Sequence, residues 1–95
     1  MTEKQLEQKL KKEVEKLGGL CLKLTTPGFT GIPDRLILLP GGKVWFVEVK
    51  KPKAGSLAIR QNYVIQQLRG LGFGANVVST EFSLESIVRM FENDL

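Results

Sequence analysis

Two hydrophobic stretches joined by a short turn constrain the fold of this 95-residue chain more than any other feature. Residues 34–39 ("DRLILL") lead through Pro40-Gly41-Gly42 into residues 43–50 ("KVWFVEVK"), a pattern that predicts a β-hairpin. The second stretch is apolar on both of its faces, which is typical of an interior strand in a sheet that is covered on both sides. We therefore expect helices on both faces of this sheet.

Periodicity and turn residues elsewhere predict those helices and two further strands. Thr2 is placed to cap a first helix, with Gln5 completing a capping box and Gly18-Gly19 ending the helix. The remaining predicted elements are a strand over 20–24, a Gly/Pro-rich loop over 25–33, a basic loop over 50–56, a helix over 57–71 capped by Ser56, a strand over 75–79 and a helix over about 83–94. The order αβββαβα predicts a single α/β domain over residues 1–95, with a mixed central sheet flanked by helices.

Composition narrows the chemistry that this domain can perform. Histidine is absent, which excludes Ser-His-Asp and Cys-His catalysis and leaves carboxylates, lysine or a metal ion to move protons. Cys21 is the only cysteine, so an internal disulfide and a cysteine-based zinc site are excluded, and we expect a small buried strand residue there. No apolar run approaches the roughly 18 residues that a membrane helix needs, so we expect no membrane contact and a cytoplasmic location.

Charge is distributed unevenly along the chain. Residues 1–80 carry 13 Lys and Arg against 6 Asp and Glu, whereas residues 81–95 carry 1 against 4. A basic body with an acidic last helix suits a polyanionic partner.

The open end of the hairpin carries charges where a purely structural hairpin would place apolar residues. With Gly41 and Gly42 at the centre of the turn, facing residues have numbers that add to about 83, so Asp34 lies opposite positions 48–49. A bulge or a slip of one residue would set it directly opposite Glu48. The two carboxylates repel each other there, and a hard divalent ion such as Mg²⁺ or Mn²⁺ would remove that cost. The alternative is a surface pair between Glu48 and Lys50, which share one face of the strand.

These residues resemble a known nuclease pattern. Ile-Pro-Asp at 32–34, followed by Glu48-Val49-Lys50, is similar to the PD-(D/E)xK signature. Together with Gly31, the short hairpin and Gln61, it resembles the VRR-NUC (virus-type replication-repair nuclease) family, from the first helix through "GFGANVV". The resemblance implies a restriction-endonuclease-like core that hydrolyses DNA phosphodiester bonds. It also implies that Asp34, Glu48 and the Val49 carbonyl hold Mg²⁺ or Mn²⁺, and that Lys50 assists the attacking water.

Two polar residues on apolar helix faces extend this candidate site. Gln61 falls within the apolar arc of the second predicted helix, where a buried amide needs hydrogen-bond partners. The resemblance places it beside the active site; the alternative is a bond to a loop carbonyl. The resemblance also implies that one glutamate of the first helix supports the site. Glu7 matches the family position better, while Glu3 has the alternative role of favouring the helix N-terminus.

Basic residues near the candidate site predict a nonspecific contact with the DNA backbone. They are Lys23, Arg35, Lys43, Lys51, Lys53, Arg60 and Arg69. Phe29, in the loop before Pro33-Asp34, either stacks on a base or wedges into a distorted duplex, or it pins its own loop to the core.

The resemblance also implies a biological setting. Family members without further domains resemble virus or phage proteins, expected to act as homodimers on branched DNA such as four-way (Holliday) junctions, in a bacterial or phage-infected cell. Larger relatives take part in DNA repair by processing flaps and crosslinks. Two alternatives remain beside an endonuclease: a non-catalytic nucleic-acid-binding module that retains the fold, and a structural protein in which the hairpin charges are incidental.

Overall fold

The computed structural model describes residues 1–51 and 58–95. Its elements are α1 (Glu3–Lys16), β1 (Leu20–Lys23), β2 (Arg35–Leu39), β3 (Lys43–Val49), α2 (Ile59–Gly70), β4 (Gly74–Val78) and α3 (Glu81–Asp94). This is the predicted αβββαβα order. Lys53 and Ser56, to which the sequence assigns a phosphate contact and a helix cap, lie outside the described residues. Within the described ranges, no helix has the length and apolar character to cross a membrane.

The four strands form one mixed sheet in the order β1-β2-β3-β4. β1 and β2, and β2 and β3, pair antiparallel, whereas β3 and β4 pair parallel. The parallel pair needs a crossover connection, and α2 lies within it. This topology makes β3 an interior strand, as its two apolar faces predict.

Side-chain caps determine where two of the helices begin. Thr2 accepts from the backbone N–H of Gln5, whose side chain accepts from the N–H of Thr2, so the predicted capping box of α1 is confirmed. A second capping box between Thr80 and Ser83 starts α3 two residues before the predicted position. In the described part of α2, the N-cap position is held by Ala58, which makes no side-chain cap.

Two apolar clusters cover the two faces of the sheet. On one side, which we call the α1/α3 face, the side chains of α1 and α3 pack on alternate residues of β3, including Val47 and Val49. On the other side, the α2 face, Val64, Ile65 and Leu68 of α2 pack with Phe46. Each cluster buries apolar surface that would otherwise stay in water, and this burial fixes both helical layers on the sheet.

Cys21 is half-buried and packs against the cluster on the α1/α3 face. Burial raises the pKa of its thiol above the ordinary cysteine value, so the sulfur stays protonated at neutral pH. The residue is therefore suited to packing rather than to nucleophilic chemistry.

The register of the hairpin differs by one residue from the simplest prediction. Arg35 pairs with Val47 and Leu39 with Lys43, so paired residue numbers add to 82. The turn has three residues, Pro40, Gly41 and Gly42, because both glycines adopt the positive φ angles that close it. The slip of one residue places Asp34, just before β2, directly across from Glu48.

Candidate active site

Asp34 and Glu48 meet at the open end of the hairpin and hold each other through backbone groups. The Asp34 N–H donates to Oε1 of Glu48 at 3.0 Å. The Val49 N–H donates to Oδ1 of Asp34 at 3.3 Å. Each carboxylate is therefore oriented by the strand that carries the other, so the hairpin register fixes their relative position.

Glu48 occupies an electrostatically costly position. Burial raises its pKa, and the negative charge of Asp34 raises it further. The Asp34 backbone N–H, the Lys50 ammonium and the Gln61 side chain act in the opposite direction, but the pKa stays above the ordinary glutamate value. Half-buried carboxylates with perturbed pKa values are characteristic of functional sites.

Gln61 reaches this pair from α2. Its side chain is half-buried and lies close enough to Glu48 to act against the rise in that residue's pKa. Glu48, Lys50 and Phe46 alternate with Val47 and Val49 along β3, so they share the α2 face of the sheet. The structure thus brings together Asp34, Glu48, Lys50 and Gln61; their catalytic roles stay a prediction.

Arg35 connects the first helix to the carboxylate pair. Its guanidinium lies 3.1 Å from Oε2 of Glu7 and 3.1 Å from Oδ2 of Asp34, and the Arg35 side chain is only 12% exposed. The sequence predicts Arg35 as a phosphate contact and Glu7 as a support of the site. In the structure, Glu7 reaches Asp34 through Arg35, and Arg35 already neutralises two carboxylates.

Glu3 reaches the other side of the site. Its Oε1 accepts from the backbone N–H of Lys51 at 2.8 Å, directly after Lys50. Glu3 and Glu7 are four residues apart and lie on one face of α1, so both approach the open end of the hairpin. This backbone contact has no signal in the sequence, because it depends on where α1 docks.

Comparison with known proteins identifies the family. No protein-family model matches the sequence. A solved structure described as "VRR_NUC domain" is 33% identical to this chain, covers 92% of it and 94% of its own length, and superposes with a TM-score of 0.84. The chain belongs to the VRR-NUC family.

A phage protein shows a second similarity to this VRR-NUC domain. "Putative nuclease p44" of Acyrthosiphon pisum secondary endosymbiont phage 1 is 50% identical over 50 residues, which are 53% of this chain and 54% of the phage protein. The chain thus spans about half the length of that relative. The family relationship confirms the α/β fold predicted from the hairpin and the helical periodicity.

The VRR-NUC site offers a divalent metal ion the carboxylates of Asp34 and Glu48, while the Val49 carbonyl as a third ligand stays a prediction. Within residues 1–51 and 58–95, no group of three or more His, Cys, Asp and Glu side chains is placed to hold a metal. Two carboxylates suffice for Mg²⁺, which keeps several waters and binds through one or two protein carboxylates plus substrate phosphate. Burial and, to a smaller extent, the charge of Asp34 raise the pKa of Glu48, and a bound cation would offset the cost of keeping this carboxylate charged. The donor set therefore fits Mg²⁺ or Mn²⁺.

The predicted phosphate contacts divide into two groups by position. Lys23 pairs with Arg35 at the end of the sheet that carries the site, and Lys51 follows Lys50 there. Lys43 lies at the hairpin tip, 3.9 Å from a carboxylate oxygen of Asp94, and Nε of Arg69 donates to the Ala75 carbonyl. Lys43 and Arg69 therefore lie away from the site, contrary to prediction.

Arg60 lies on α2 against two aromatic rings. Its guanidinium carbon is 5.2 Å from the centroid of the Phe29 ring and 5.6 Å from that of Tyr63. Tyr63 was not among the predicted site residues. Its spacing of three residues from Arg60 places both on one side of α2, which is the only sequence signal for this contact.

Proposed function

We propose that this VRR-NUC domain is a divalent-metal-dependent endonuclease that hydrolyses DNA phosphodiester bonds. The observation that carries the proposal is the direct opposition of Asp34 and Glu48, each held by the other's strand. A binding module gains nothing from two apposed carboxylates, because they repel the phosphates of its ligand. The nuclease names of the relatives support the same conclusion.

Each residue of the site has a role that follows from its chemistry. Asp34, Glu48 and the Val49 carbonyl would hold Mg²⁺ or Mn²⁺, which when bound neutralises the carboxylates and the charge that develops on the phosphate. Lys50, on the same face as Glu48, orients the attacking water and helps to deprotonate it. Gln61 holds Glu48 in its charged form, and the Glu7–Arg35 pair fixes Asp34. The water attacks in line with the leaving 3′ oxygen.

We further propose that the domain acts as a homodimer on branched DNA such as four-way junctions. The small domain and its basic surface are suited to contact with the DNA backbone, and none of its basic residues indicates base-specific recognition. A two-fold arrangement of two active sites matches the two-fold symmetry of a junction and allows paired cuts. The phage origin of the relative supports a role in phage replication or repair in an infected bacterial cell.

The test is a cleavage assay on linear duplex, flap and four-way-junction DNA of equal length, with Mg²⁺, Mn²⁺ or EDTA. Asp34→Asn and Glu48→Gln remove one charge each with little change in size. Glu92→Gln, an exposed charge on α3, is the matched control. We expect cleavage by wild type and Glu92→Gln with metal only, and none by the two site variants.

The outcomes separate the alternatives. Tight DNA binding without cleavage under any metal condition would favour the non-catalytic module. Cleavage in EDTA would rule out the metal-dependent mechanism. Equal cleavage of linear and branched DNA would contradict the junction preference alone, and a monomer in sedimentation velocity with junction DNA would contradict the dimer.

A further inference from the structure

The loop before Asp34 and the first turns of α2 form an aromatic cluster at the surface. We call it the Phe29–Arg60–Tyr63 cluster, since the guanidinium of Arg60 lies over both rings, 5.2 Å from the Phe29 centroid and 5.6 Å from that of Tyr63. Such contacts between a guanidinium and the faces of aromatic rings are attractive. The two rings are thereby held on one side of the domain by a common cation.

Several contacts fix the loop that carries Phe29. The Phe29 N–H donates to the Thr26 carbonyl at 3.2 Å, and Oγ1 of Thr26 donates to the Phe29 carbonyl at 2.9 Å. Nε of Arg60 donates to the Thr30 carbonyl at 3.3 Å. At Gly31, a Cβ would lie 3.0 Å from the Arg60 carbonyl, so the loop backbone packs directly on α2. The cluster is therefore pre-organised.

The rings of this cluster face water rather than the core. Phe29 is 46% exposed and Tyr63 is 55% exposed, and neither belongs to the two apolar clusters of the fold. A phenylalanine that only pinned its loop would be buried. Exposed aromatic side chains held in a fixed arrangement are typical of binding surfaces.

The cluster adjoins the candidate site through two chain segments. Arg60 immediately precedes Gln61, which lies beside Glu48. The loop that carries Phe29 ends at Pro33, directly before Asp34. A DNA strand with a phosphate at the carboxylates would therefore have its neighbouring nucleotides near these rings.

We propose that the Phe29–Arg60–Tyr63 cluster is a stacking platform for an unpaired nucleobase next to the phosphate that is cut. This inference rests on the proposed nuclease function and assigns its substrate class: DNA with a base outside the duplex, as at a branch point. Every base has a π face, so aromatic stacking is tolerant of sequence. The positive charge of Arg60 would attract the phosphate next to the stacked base. A purely apolar surface would not, so the charge favours a nucleic acid as the ligand.

The test uses metal-free protein in EDTA and a branched DNA with 2-aminopurine at an unpaired position of the branch. Stacking changes the fluorescence of 2-aminopurine, and titration gives the Kd. Phe29→Ala and Tyr63→Ala remove one ring each, and Phe29→Leu retains apolar bulk without a π face. Phe82→Ala is the matched control, since Phe82 is an exposed phenylalanine on α3, on the opposite face of the sheet.

We expect Phe29→Ala, Tyr63→Ala and Phe29→Leu each to weaken binding of the branched DNA about tenfold and to reduce the fluorescence change. Binding of a fully paired duplex of equal length stays unchanged, as does all binding by Phe82→Ala. Wild-type affinity in Phe29→Leu would overturn the proposal in favour of loop packing. Wild-type affinity in both alanine variants would also overturn it and leave the surface to a protein partner.

The same proteins distinguish failure of this proposal from failure of the nuclease function. If wild type cleaves branched DNA with Mg²⁺ or Mn²⁺ and the variants bind it with unaltered affinity, the stacking platform is contradicted and the nuclease function is supported. A fluorescence change that depends on the two rings, without cleavage by wild type under either metal, would support the stacking platform and contradict the nuclease function. If Phe29→Ala does not fold by circular dichroism, Tyr63→Ala on α2 decides the question.

Discussion

Glu48 is held in its charged form by three groups and driven towards its protonated form by two influences. Burial and Asp34 raise its pKa, while the Asp34 N–H, Lys50 and Gln61 lower it. Asp34 differs, because its carboxylate is paired with Arg35 at 3.1 Å. At the scale of single residues, the charge of Glu48 therefore destabilises the folded protein, whereas the charge of Asp34 stabilises it.

Replacing each carboxylate by its amide should separate activity from stability. We expect Glu48→Gln to reduce cleavage at least about 100-fold and to raise the unfolding free energy by up to about 1 kcal/mol, because it removes a repelled, half-buried charge. Asp34→Asn should reduce cleavage similarly but lower the unfolding free energy by about 1 kcal/mol, because Arg35 loses a partner. Urea denaturation in EDTA measures the unfolding free energy of both variants, and the cleavage assay measures their activity. Equal stability changes in the two variants would contradict this account.

The pH dependence of stability follows from the raised pKa of Glu48. The folded protein binds this proton more tightly than the unfolded chain does. The contribution of Glu48 to stability is therefore fully present below the ordinary glutamate pKa, about 4.3, and is lost as the pH rises through the raised pKa.

In EDTA, we expect the stability advantage of Glu48→Gln over wild type to grow as the pH rises through that window and then to level off. A series of urea denaturations across the acidic range measures this difference. An advantage that stayed constant, or that grew towards low pH, would show that the pKa of Glu48 is not raised in the folded protein.

At the scale of elements, the interior strand β3 is positioned by a single large side chain. Trp45 pairs with Gly74 of β4, donates through Nε1 to Oδ2 of Asp94 at 2.9 Å and packs edge-on against Phe91, with ring centroids 5.2 Å apart. A Cβ at position 74 would overlap the indole ring. The parallel pairing that carries Glu48 thus depends on the absence of a side chain at Gly74.

We expect Gly74→Ala to lower the unfolding free energy by about 2 kcal/mol, because the indole must leave its place and a well-packed contact is strained. Trp45 is the only tryptophan, so its emission reports the displacement directly and should shift to the red. Gly70→Ala, at the end of α2 with no atom near the added methyl, is the control and should leave the emission unchanged. An unchanged spectrum in Gly74→Ala would contradict the packing argument.

Charge is segregated at the scale of the whole molecule. Glu81 and Glu85 of α3 lie 3.2 and 3.9 Å from the ammonium of Lys9, so acidic residues of the last helix are partly neutralised by α1. Lys23 and Lys51 lie instead at the end of the domain that carries the site. A polyanion is therefore attracted to that end, and the acidic helix on the α1/α3 face disfavours other approaches.

Affinity for DNA should consequently fall steeply with salt. The binding constant K is measured in EDTA with the Glu48→Gln protein as the background. We expect the further changes Lys23→Ala and Lys51→Ala each to make the negative slope of log K against log salt less steep by about 0.9, because one phosphate contact is lost. Lys43→Ala, at the hairpin tip, is the matched control and should leave the slope unchanged. Equal effects of all three changes would show that the net charge, and not the location of the lysines, determines binding.

The sequence predicts most of the fold because its signals are local. The capping box at Thr2, the hairpin and the apolar periodicities each depend on neighbours along the chain. The predicted register is off by one residue, because it is counted from Gly41-Gly42 as the centre of the turn, whereas the three-residue turn is centred on Gly41. The contacts of Glu3 and Arg35 could not be predicted, since they depend on how α1 docks against the sheet.

The three-residue turn at the hairpin tip lies one strand length away from the carboxylates, roughly 17 Å along the sheet. A Cβ added at Gly41 or Gly42 would meet no other atom within 4 Å, and strand pairing starts only at Leu39 and Lys43. Residues inserted at the tip leave every pair of the ladder in place, including the opposition of Asp34 and Glu48. The tip is thus free to lengthen during evolution, and it is the natural position for a fluorophore or an affinity tag in this VRR-NUC domain.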